Sequence, residues 1–252
     1  QPCANPVGGN TLVSPSPVCQ GAYVNLALAN NSTGLGQVYQ WQYSSSASGP
    51  FTNLGGPLSN PDTLITAPAA PTYYSVAVTC GSQISNSSPV LLSVNPSLAA
   101  GTYTINSALP TGGTNYNSFT AVRSALECGI LGPVVFNVVA GSGPYTEQII
   151  FDSVRGSSFV NTITFNGNGN TLRYAPLIND ERAVLKLRRA DFFRFNNLTI
   201  DATVPGSSYG YVVQLINNAD SNIFNNCNLR TRIDTNSNFY AGVVINAEIG
   251  RA

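Results

Sequence analysis

Two aspartates, Asp191 and Asp220, stand at matching positions of two similar stretches of the sequence. In a chain that repeats with the interval between them, their carboxylates lie side by side and repel each other unless a proton or a cation separates them. Ca²⁺ binds several carboxylate and carbonyl oxygens, so the pair is a candidate calcium site, although aspartate is also an ordinary turn residue. We expect the turn role and no cofactor. Asp201 and Arg230 share the offset, which predicts an ion pair between repeats.

Two pairs of asparagines repeat with the same offset, since Asn196 and Asn197 are followed by Asn225 and Asn226. In adjacent coils these side chains are expected to stack roughly 4.8 Å apart. Stacked amides can pass hydrogen bonds along the coil axis, and asparagine tolerates the left-handed backbone that a coil corner needs. We therefore predict a structural asparagine ladder, with a ligand-binding ladder as the alternative.

The chain contains no histidine, which excludes a Ser-His-Asp or Cys-His catalytic site. Residues 143–151 and 211–235 are similar to pectin methylesterases, and the resemblance places Gln214 and Asp234 at that family's catalytic positions. The pattern departs from the family at Ile233, where a glutamine is expected, and the downstream Asp and Arg-Pro-Trp are missing. We expect no enzyme activity in these residues, with a polysaccharide lyase or esterase as the alternative.

The elements that carry these residues are repeated short strands. Residues 184–199 read VLKLRRADFFRFNNLT and residues 212–228 read VVQLINNADSNIFNNCN, and a third copy begins at GVVINAE, where Ile245 falls one further period after Ile216. A fixed period of this length is the sequence signature of a solenoid, and alternating apolar residues indicate strands. The fold predicted for residues 101–252 is therefore the N-terminal part of a right-handed parallel β-helix.

One short helix is predicted over about 118–128, with Ser118 as its N-cap and Gly129 at its end. This helix is expected to cover the first coil, which otherwise exposes its core and its strand edges. The opposite end has no such cover, because the coil that begins at Gly242 stops soon afterwards. Alternation points Val243 and Ile245 inward there, so we predict further coils of the same polypeptide, or another protein chain, at that end.

Residues 1–96 show strands separated by turn clusters, which predicts a small β-sandwich in an all-β protein, and residues 97–100 are read as a linker. Cys19, Trp41 and Cys80 follow one another in immunoglobulin-like order. If the flanking strands are antiparallel, Cys19 and Cys80 reach the same end and form a disulfide, with Cys3–Cys80 as the alternative. Cys128 is a candidate partner of Cys3, and Cys227 is a candidate free thiol in the core.

The charges and cysteines indicate an extracellular location. Asp62 is the only charged residue among the first 122, and the formal net charge of the chain is zero, which argues against a nucleic-acid partner. No apolar run is long enough to span a membrane. Five cysteines in so polar a chain favour an oxidising compartment.

Two segments resemble secreted proteins of the Bacteroidota. The stretches VCQGAYVNLAL, VYQWQYSSSASGPFTNL and PTYYSVAVTCGS resemble their Ig-like modules, and GTYTI, FTAVRSALECGILGPVVFNVVAGSGPYTEQIIF and NTITFNG resemble their β-helix segments. The resemblance implies secretion, type IX export machinery as a partner, and O-glycosylation of Asp-Ser/Thr-aliphatic triplets, here at Thr63 and Ser153.

We expect a secreted, cell-surface segment of a larger exported protein, with an adhesin-like or structural role and a surface glycan as candidate ligand. One alternative is the N-terminal part of a carbohydrate-active β-helix enzyme whose catalytic residues lie downstream. The other is a subunit of an extracellular filament.

Overall fold

The computed structural model describes residues 2–235 and 237–246. The chain is nearly all β, with 3% helix, and it divides into two compact units, Gln1–Pro96 and Ser97–Ala252. The four residues read as a linker belong to the second unit, where Leu98 forms a β-bridge with Ile130.

The first unit is built from antiparallel sheets. One sheet has the strand order β1-β3-β6, and another has the order β5-β4-β7-β8, with β9 also paired to β7. A separate parallel pair joins β2 to β10. The strands are β1 (Asn10–Ser14), β2 (Val18–Cys19), β3 (Tyr23–Ala29), β4 (Val38–Ser44), β5 (Thr52–Asn53), β6 (Thr63–Thr66), β7 (Thr72–Cys80), β8 (Gln83–Asn86), β9 (Val90–Leu92) and β10 (Val94–Asn95).

Both antiparallel sheets contribute to a single core in this unit. Val24 and Leu26 on β3 pack with Trp41 on β4 and Val76 on β7, and all four are at most 1% exposed. The Trp41 ring donates a hydrogen bond to the carbonyl oxygen of Pro61 at 2.6 Å, so its one polar atom is satisfied. The alternation of buried and exposed residues along β3 and β4 is what the sequence predicted for half-buried strands.

The prediction of a disulfide between Cys19 and Cys80 is wrong, because Cys80 is bonded to Cys3. The backbone N–H of Cys3 donates to the carbonyl of Leu35, just before β4, and β4 lies beside β7, which ends at Cys80. Cys19 instead lies on β2 and pairs in register with Asn95. Cys19 and Cys128 are each in a disulfide, and the bond between Cys3 and Cys80 means that Cys128 is not the partner of Cys3.

The second unit confirms the predicted parallel β-helix as a β-solenoid of about five turns. Its three parallel sheets have the orders β12-β11-β13-β16-β19-β22, β14-β17-β20-β23 and β15-β18-β21-β24, here called the first, second and third solenoid sheets. The elements are β11 (Gly101–Ile105), β12 (Asn115–Tyr116), α1 (Phe119–Leu126), β13 (Val134–Val138), β14 (Tyr145–Thr146), β15 (Ile149–Phe151), β16 (Ile163–Asn166), β17 (Thr171–Arg173), β18 (Ala183–Arg188), β19 (Phe193–Asn196), β20 (Thr199–Asp201), β21 (Gly210–Ile216), β22 (Ile223–Asn225), β23 (Asn228–Arg230) and β24 (Tyr240–Asn246).

A column of aromatic rings runs through the core along the first solenoid sheet. Phe136, Phe165, Phe195 and Phe224 occupy one register position in four successive coils. Their ring centroids are separated by 5.0, 5.2 and 5.0 Å, and the rings are nearly parallel. The first three are fully buried and the last is half-buried.

The helix α1 occupies Phe119–Leu126, inside the predicted range, and lies against β15, the first strand of the third solenoid sheet. The Ser118 side chain accepts a hydrogen bond from the N–H of Ala121, and Gly129 follows the helix with a φ of 85°. The Glu147 carboxylate accepts further bonds from the N–H groups of Phe119 and Thr120, at 3.2 and 2.8 Å. Phe119, Val122 and Leu126 are buried in the solenoid core.

The last described coil leaves its inward row exposed. Val243 and Ile245 are 49% and 77% exposed, whereas Val213, the register partner of Val243 in the preceding coil, is fully buried. The third repeat is also shifted by one residue from the predicted register, because Ile245 pairs with Leu215 and not with Ile216. The loop before β24 is one residue longer than the loop before β21, which accounts for the shift.

Candidate functional site

A polar groove lies along the outer face of the second solenoid sheet. Tyr145, Leu172 and Ile200 of this sheet are buried inward, and the residues that follow each of them face outward. The groove has a volume of about 400 Å³. We call it the outer groove, and it is lined by Gly141, Gly143, Pro144, Asn168, Gly169, Asn170, Thr171, Arg173, Asp201 and Arg230.

A row of charged side chains crosses the coils inside the outer groove. Arg173, Asp201 and Arg230 pair in register on β17, β20 and β23. Asp201 Oδ2 lies 3.7 Å from a terminal nitrogen of Arg230, which is the ion pair predicted between repeats. The other carboxylate oxygen of Asp201 accepts hydrogen bonds from the backbone N–H and the hydroxyl of Thr203, at 2.8 and 2.6 Å. Asp201 is therefore held by Thr203 on one side, and Arg230 lies beside it on the other.

Arg173 is held at one point only. Its Nε donates to Thr146 Oγ1 at 3.2 Å, across one coil. Among the described residues its two terminal nitrogens have no hydrogen-bond or ion-pair partner. A guanidinium group fixed at Nε presents a planar pair of donors in a defined direction, which suits a carboxylate or a sulfate group.

One wall of the outer groove is made rigid by the side chain of Asn170, which is buried. Asn170 Oδ1 accepts from the N–H of Gly143 at 2.9 Å, and Nδ2 donates to the carbonyls of Val139 and Gly167. At Gly167 a Cβ atom would come within 2.6 Å of the carbonyl oxygen of Asn197, so only glycine fits where the coils approach this closely. This wall was not predicted, although the alternating asparagines and glycines of residues 166–170 indicate it in the sequence.

The structure brings the predicted asparagines together, and the ladder is longer than expected. Asn196 and Asn225 share a register position, and Asn226 Nδ2 lies 3.5 Å from Asn197 Oδ1. The amide of Asn196 donates to Asn166 at 3.0 Å, and that of Asn166 donates to Asn137 at 2.8 Å. Asn197 and Asn226 have φ values of 50° and 52°, the left-handed conformation predicted for the corner.

Asp191 and Asp220 also lie in neighbouring coils. Asp191 Oδ1 accepts the backbone N–H of Asp220 at 2.6 Å, which is a hydrogen bond between neighbouring coils. No group of three or more Asp, Glu, Cys or His side chains suited to a metal is found in residues 2–235 and 237–246.

The two positions suggested by the esterase resemblance serve different contacts. Gln214 is buried on β21, and its amide donates to Asn246 Oδ1 at 3.1 Å. Asp234 lies in an exposed loop with Arg232, whose guanidinium donates to both carboxylate oxygens at 3.0 and 2.9 Å. The hydrogen bonds from Arg232 hold the pKa of the Asp234 carboxyl below its usual range. An ionised, paired carboxylate is a poor general acid.

The candidate glycosylation positions differ in accessibility. Ser153 is exposed, and Thr63 is half-buried on β6, where it pairs with Leu26. The aspartate before Ser153 is bound by Arg188, with the closer contact at 2.5 Å. This hydrogen bond, together with the charge of Arg188, lowers the pKa of the Asp152 carboxyl.

A buried ion pair lies on the outer face of the third solenoid sheet. Lys186, the only lysine of the chain, is 2% exposed, and its Nζ lies 2.7 Å from Glu181 Oε2. Its ammonium group also donates to the carbonyl of Asp180. Alternation in the sequence places Lys186 on the outward face of β18, where the loop of residues 174–182 covers it, and no sequence pattern indicates that cover.

An arginine and three aromatic rings lie beside the same loop. The Arg182 guanidinium carbon lies 4.8 Å from the ring centre of Tyr209, 5.0 Å from that of Phe239 and 6.0 Å from that of Tyr211. The sequence did not reveal this cluster, since its members come from three different coils, with Tyr211 on β21 and the other three residues in loops.

In residues 2–235 and 237–246, no helix is long and apolar enough to cross a membrane. Comparison of the chain with protein-family models, with curated proteins and with solved structures finds no match.

Proposed function

We propose that the chain is an exported, cell-surface segment with an adhesin-like role, in which the solenoid presents the outer groove to a ligand. The observation that carries the proposal is that four of the five cysteines are in disulfides. Disulfides form and persist in oxidising, extracytoplasmic compartments. The right-handed sense of the coil, the Ig-like relation of the first unit and type IX export from a member of the Bacteroidota are parts of this proposal.

The nature of the solenoid surface supports a binding role. The outer groove combines a rigid asparagine wall with the guanidinium group of Arg173, which one hydrogen bond anchors, and with that of Arg230, which lies beside Asp201. Groups that are already ordered lose little conformational freedom when a ligand binds. A binding site of this kind needs no catalytic residues in the described coils.

The exposed end of the solenoid favours the proposal that a partner binds there. The inward side chains of Val243 and Ile245 are accessible, and β22, β23 and β24 are the last strands of their sheets among the described residues. Exposed apolar side chains beside unpaired strand groups favour the addition of another strand. Further coils or another protein chain would cover this end.

The cellular role is tested by labelling intact producing cells with an antibody against the chain, with and without external protease. Surface labelling that protease removes is expected, and a strictly intracellular signal would contradict the proposal. Beads carrying the 252-residue chain should also resist shear on polysaccharide-coated surfaces better than beads carrying albumin. Equal detachment of the two kinds of bead from all surfaces would contradict the adhesive role.

The partner at the exposed end is tested by light scattering of the purified 252-residue chain. We expect concentration-dependent association, because two copies can cover each other's exposed end. Ile245→Lys should weaken the association, whereas Ile178→Lys, at an exposed loop position, should not. A monomer whose β24 amides are strongly protected from hydrogen exchange would contradict this expectation.

A further inference from the structure

We propose that the outer groove binds an acidic polysaccharide, and that Arg173 and Arg230 hold its carboxylate or sulfate groups. The inference rests on the binding role proposed above and names the chemical class of the ligand. It is carried by the spacing of the two arginines, by the balance of charge along their row and by the polar side chains beside them.

The two arginines are spaced like charges on a sugar polymer. Arg173 and Arg230 are in register with Asp201 between them, so their backbones are two strand spacings apart. Two spacings amount to roughly 9.6 Å. Linear acidic polysaccharides repeat their charges at intervals of one or two sugar residues, which are lengths of the same order. Such a chain would run across the coils, parallel to the solenoid axis.

The charge balance of the row favours an anion at each end. The row has two guanidinium groups and one carboxylate, and the carboxylate makes its ion pair with Arg230. Arg173 keeps its terminal nitrogens available among the described residues. Asp201 repels an anion that is placed midway between the arginines. The row therefore favours anions two coils apart over a polymer with a negative charge at every coil.

Neutral polar side chains complete the site for a sugar. Thr171, Thr199 and Asn228 form a second register row on the same outward face of the sheet. Thr171 lines the outer groove directly. Hydroxyl and amide groups both donate and accept hydrogen bonds, as sugar hydroxyls require. The site thus offers cationic donors for the acidic groups and neutral groups for the rings between them.

The experiment measures binding of the 252-residue chain to two matched pairs of polymers by biolayer interferometry. Hyaluronan, which carries a carboxylate on every second sugar, is compared with its fully methyl-esterified form, and κ-carrageenan, which carries a sulfate on every second sugar, with its desulfated form, so that each pair differs in charge but not in backbone. We expect binding to at least one charged member, weaker binding to its neutral counterpart, and loss of affinity as NaCl is raised. The charged member that binds more tightly identifies a carboxylate or a sulfate ester as the preferred group.

Variants locate the binding in the groove. Arg173→Gln and Arg230→Gln should each weaken binding by roughly tenfold, the scale of one charge-assisted hydrogen bond. The matched control is Arg194→Gln, which removes the same charge from the exposed outer face of the first solenoid sheet and should leave the affinity unchanged. Circular dichroism spectra and melting curves of all three variants confirm that they are folded.

The outcomes separate this inference from the proposed function. Equal loss in all three variants would mean that net charge alone drives binding and would overturn the groove assignment. Tight binding to a neutral polymer that is unaffected by Arg173→Gln would also overturn it, while leaving the adhesive role intact. Binding to none of the four polymers would overturn the ligand class, and the cell-labelling and bead experiments would still decide the proposed function.

Discussion

At the scale of single residues, the asparagine ladder contributes stability through hydrogen bonds between coils. Asn166 donates to Asn137 and accepts from Asn196, so Asn166→Ala removes two bonds and leaves both neighbours without a partner. We expect the free energy of unfolding to fall by about 1–2 kcal/mol, as measured by urea denaturation followed by circular dichroism. Thr164→Ala, on the same outward face of β16, is the control. Equal effects of the two substitutions would mean that the ladder is not stabilising.

Asp152 makes the stability of the chain depend on pH in the acidic range. Its hydrogen bond from Arg188 lowers the pKa of the folded-state carboxyl, so the unfolded chain binds the proton more readily. The resulting stabilisation is fully present above the unfolded pKa, near 4, and is lost as the pH falls through the lower folded value. Urea midpoints between about pH 2 and 6 should therefore fall less steeply for Asp152→Asn than for the unchanged chain. Arg188→Gln should reproduce this flatter dependence, and an unchanged slope in both variants would contradict the assignment.

At the scale of the elements, the aromatic column makes the inner coils more costly to disrupt than the last one. Phe195 is fully buried between Phe165 and Phe224, whereas Phe224 is half-buried at the end of the column. Phe195→Ala should lower the free energy of unfolding by about 3–5 kcal/mol, and Phe224→Ala should cost less because part of its ring already contacts water. Urea denaturation of the two variants checks the order, and a larger effect at Phe224 would show that the column does not end there.

The elements that sequence could predict are those set by local pattern. The strands of the solenoid follow from the returning Phe-Asn-Asn of residues 195–197 and 224–226, and α1 follows from Ser118 and Gly129. The loops between strands follow no repeat. In the third solenoid sheet, Ile149 on β15 pairs with Leu185 on β18, and Leu185 pairs with Val213 on β21. The number of residues from Ile149 to Leu185 is larger than the number from Leu185 to Val213. The extra residues of the first interval lie mainly between β15 and β16, where the loop of residues 152–162 is much longer than the loop of residues 189–192 between β18 and β19, and no repeat in the sequence indicates that loop.

The charged row of the outer groove was predictable only in part. Asp201 and Arg230 share the repeat offset, so their ion pair was expected. Arg173 lies one residue closer to Asp201 in the sequence than that offset requires, so it was missed. The pairing of Cys80 could not be derived from strand order either. It depends on where the irregular segment around Cys3 lies, and a single bridge and hydrogen bond near Leu35 determine that position.

At the scale of the whole molecule, the Cys3–Cys80 disulfide ties the start of the chain to the end of β7 over 77 residues. The Cys3→Ser/Cys80→Ser double variant should lose about 2–5 kcal/mol of stability in the first unit, because the unfolded segment gains conformational freedom. Trp41, the only tryptophan, lies in that unit, so its fluorescence reports the transition. Cys227→Ser, which removes the free thiol of the second unit, should not shift that signal. Non-reducing peptide mapping that found Cys80 joined to Cys19 would contradict the pairing.

The difference between the two ends of the solenoid gives the molecule a direction of growth. One end is closed by α1 against β15, and the other exposes the inward residues of β24. Each strand of a later coil pairs with the coil before it, so an ordered coil is the template on which the next one can form. We expect the closed end to nucleate folding and the later coils to add in sequence. If the chain is exported as proposed above, with its N-terminus leading, each completed coil would oppose backward sliding of the chain, and folding would act as a ratchet for secretion.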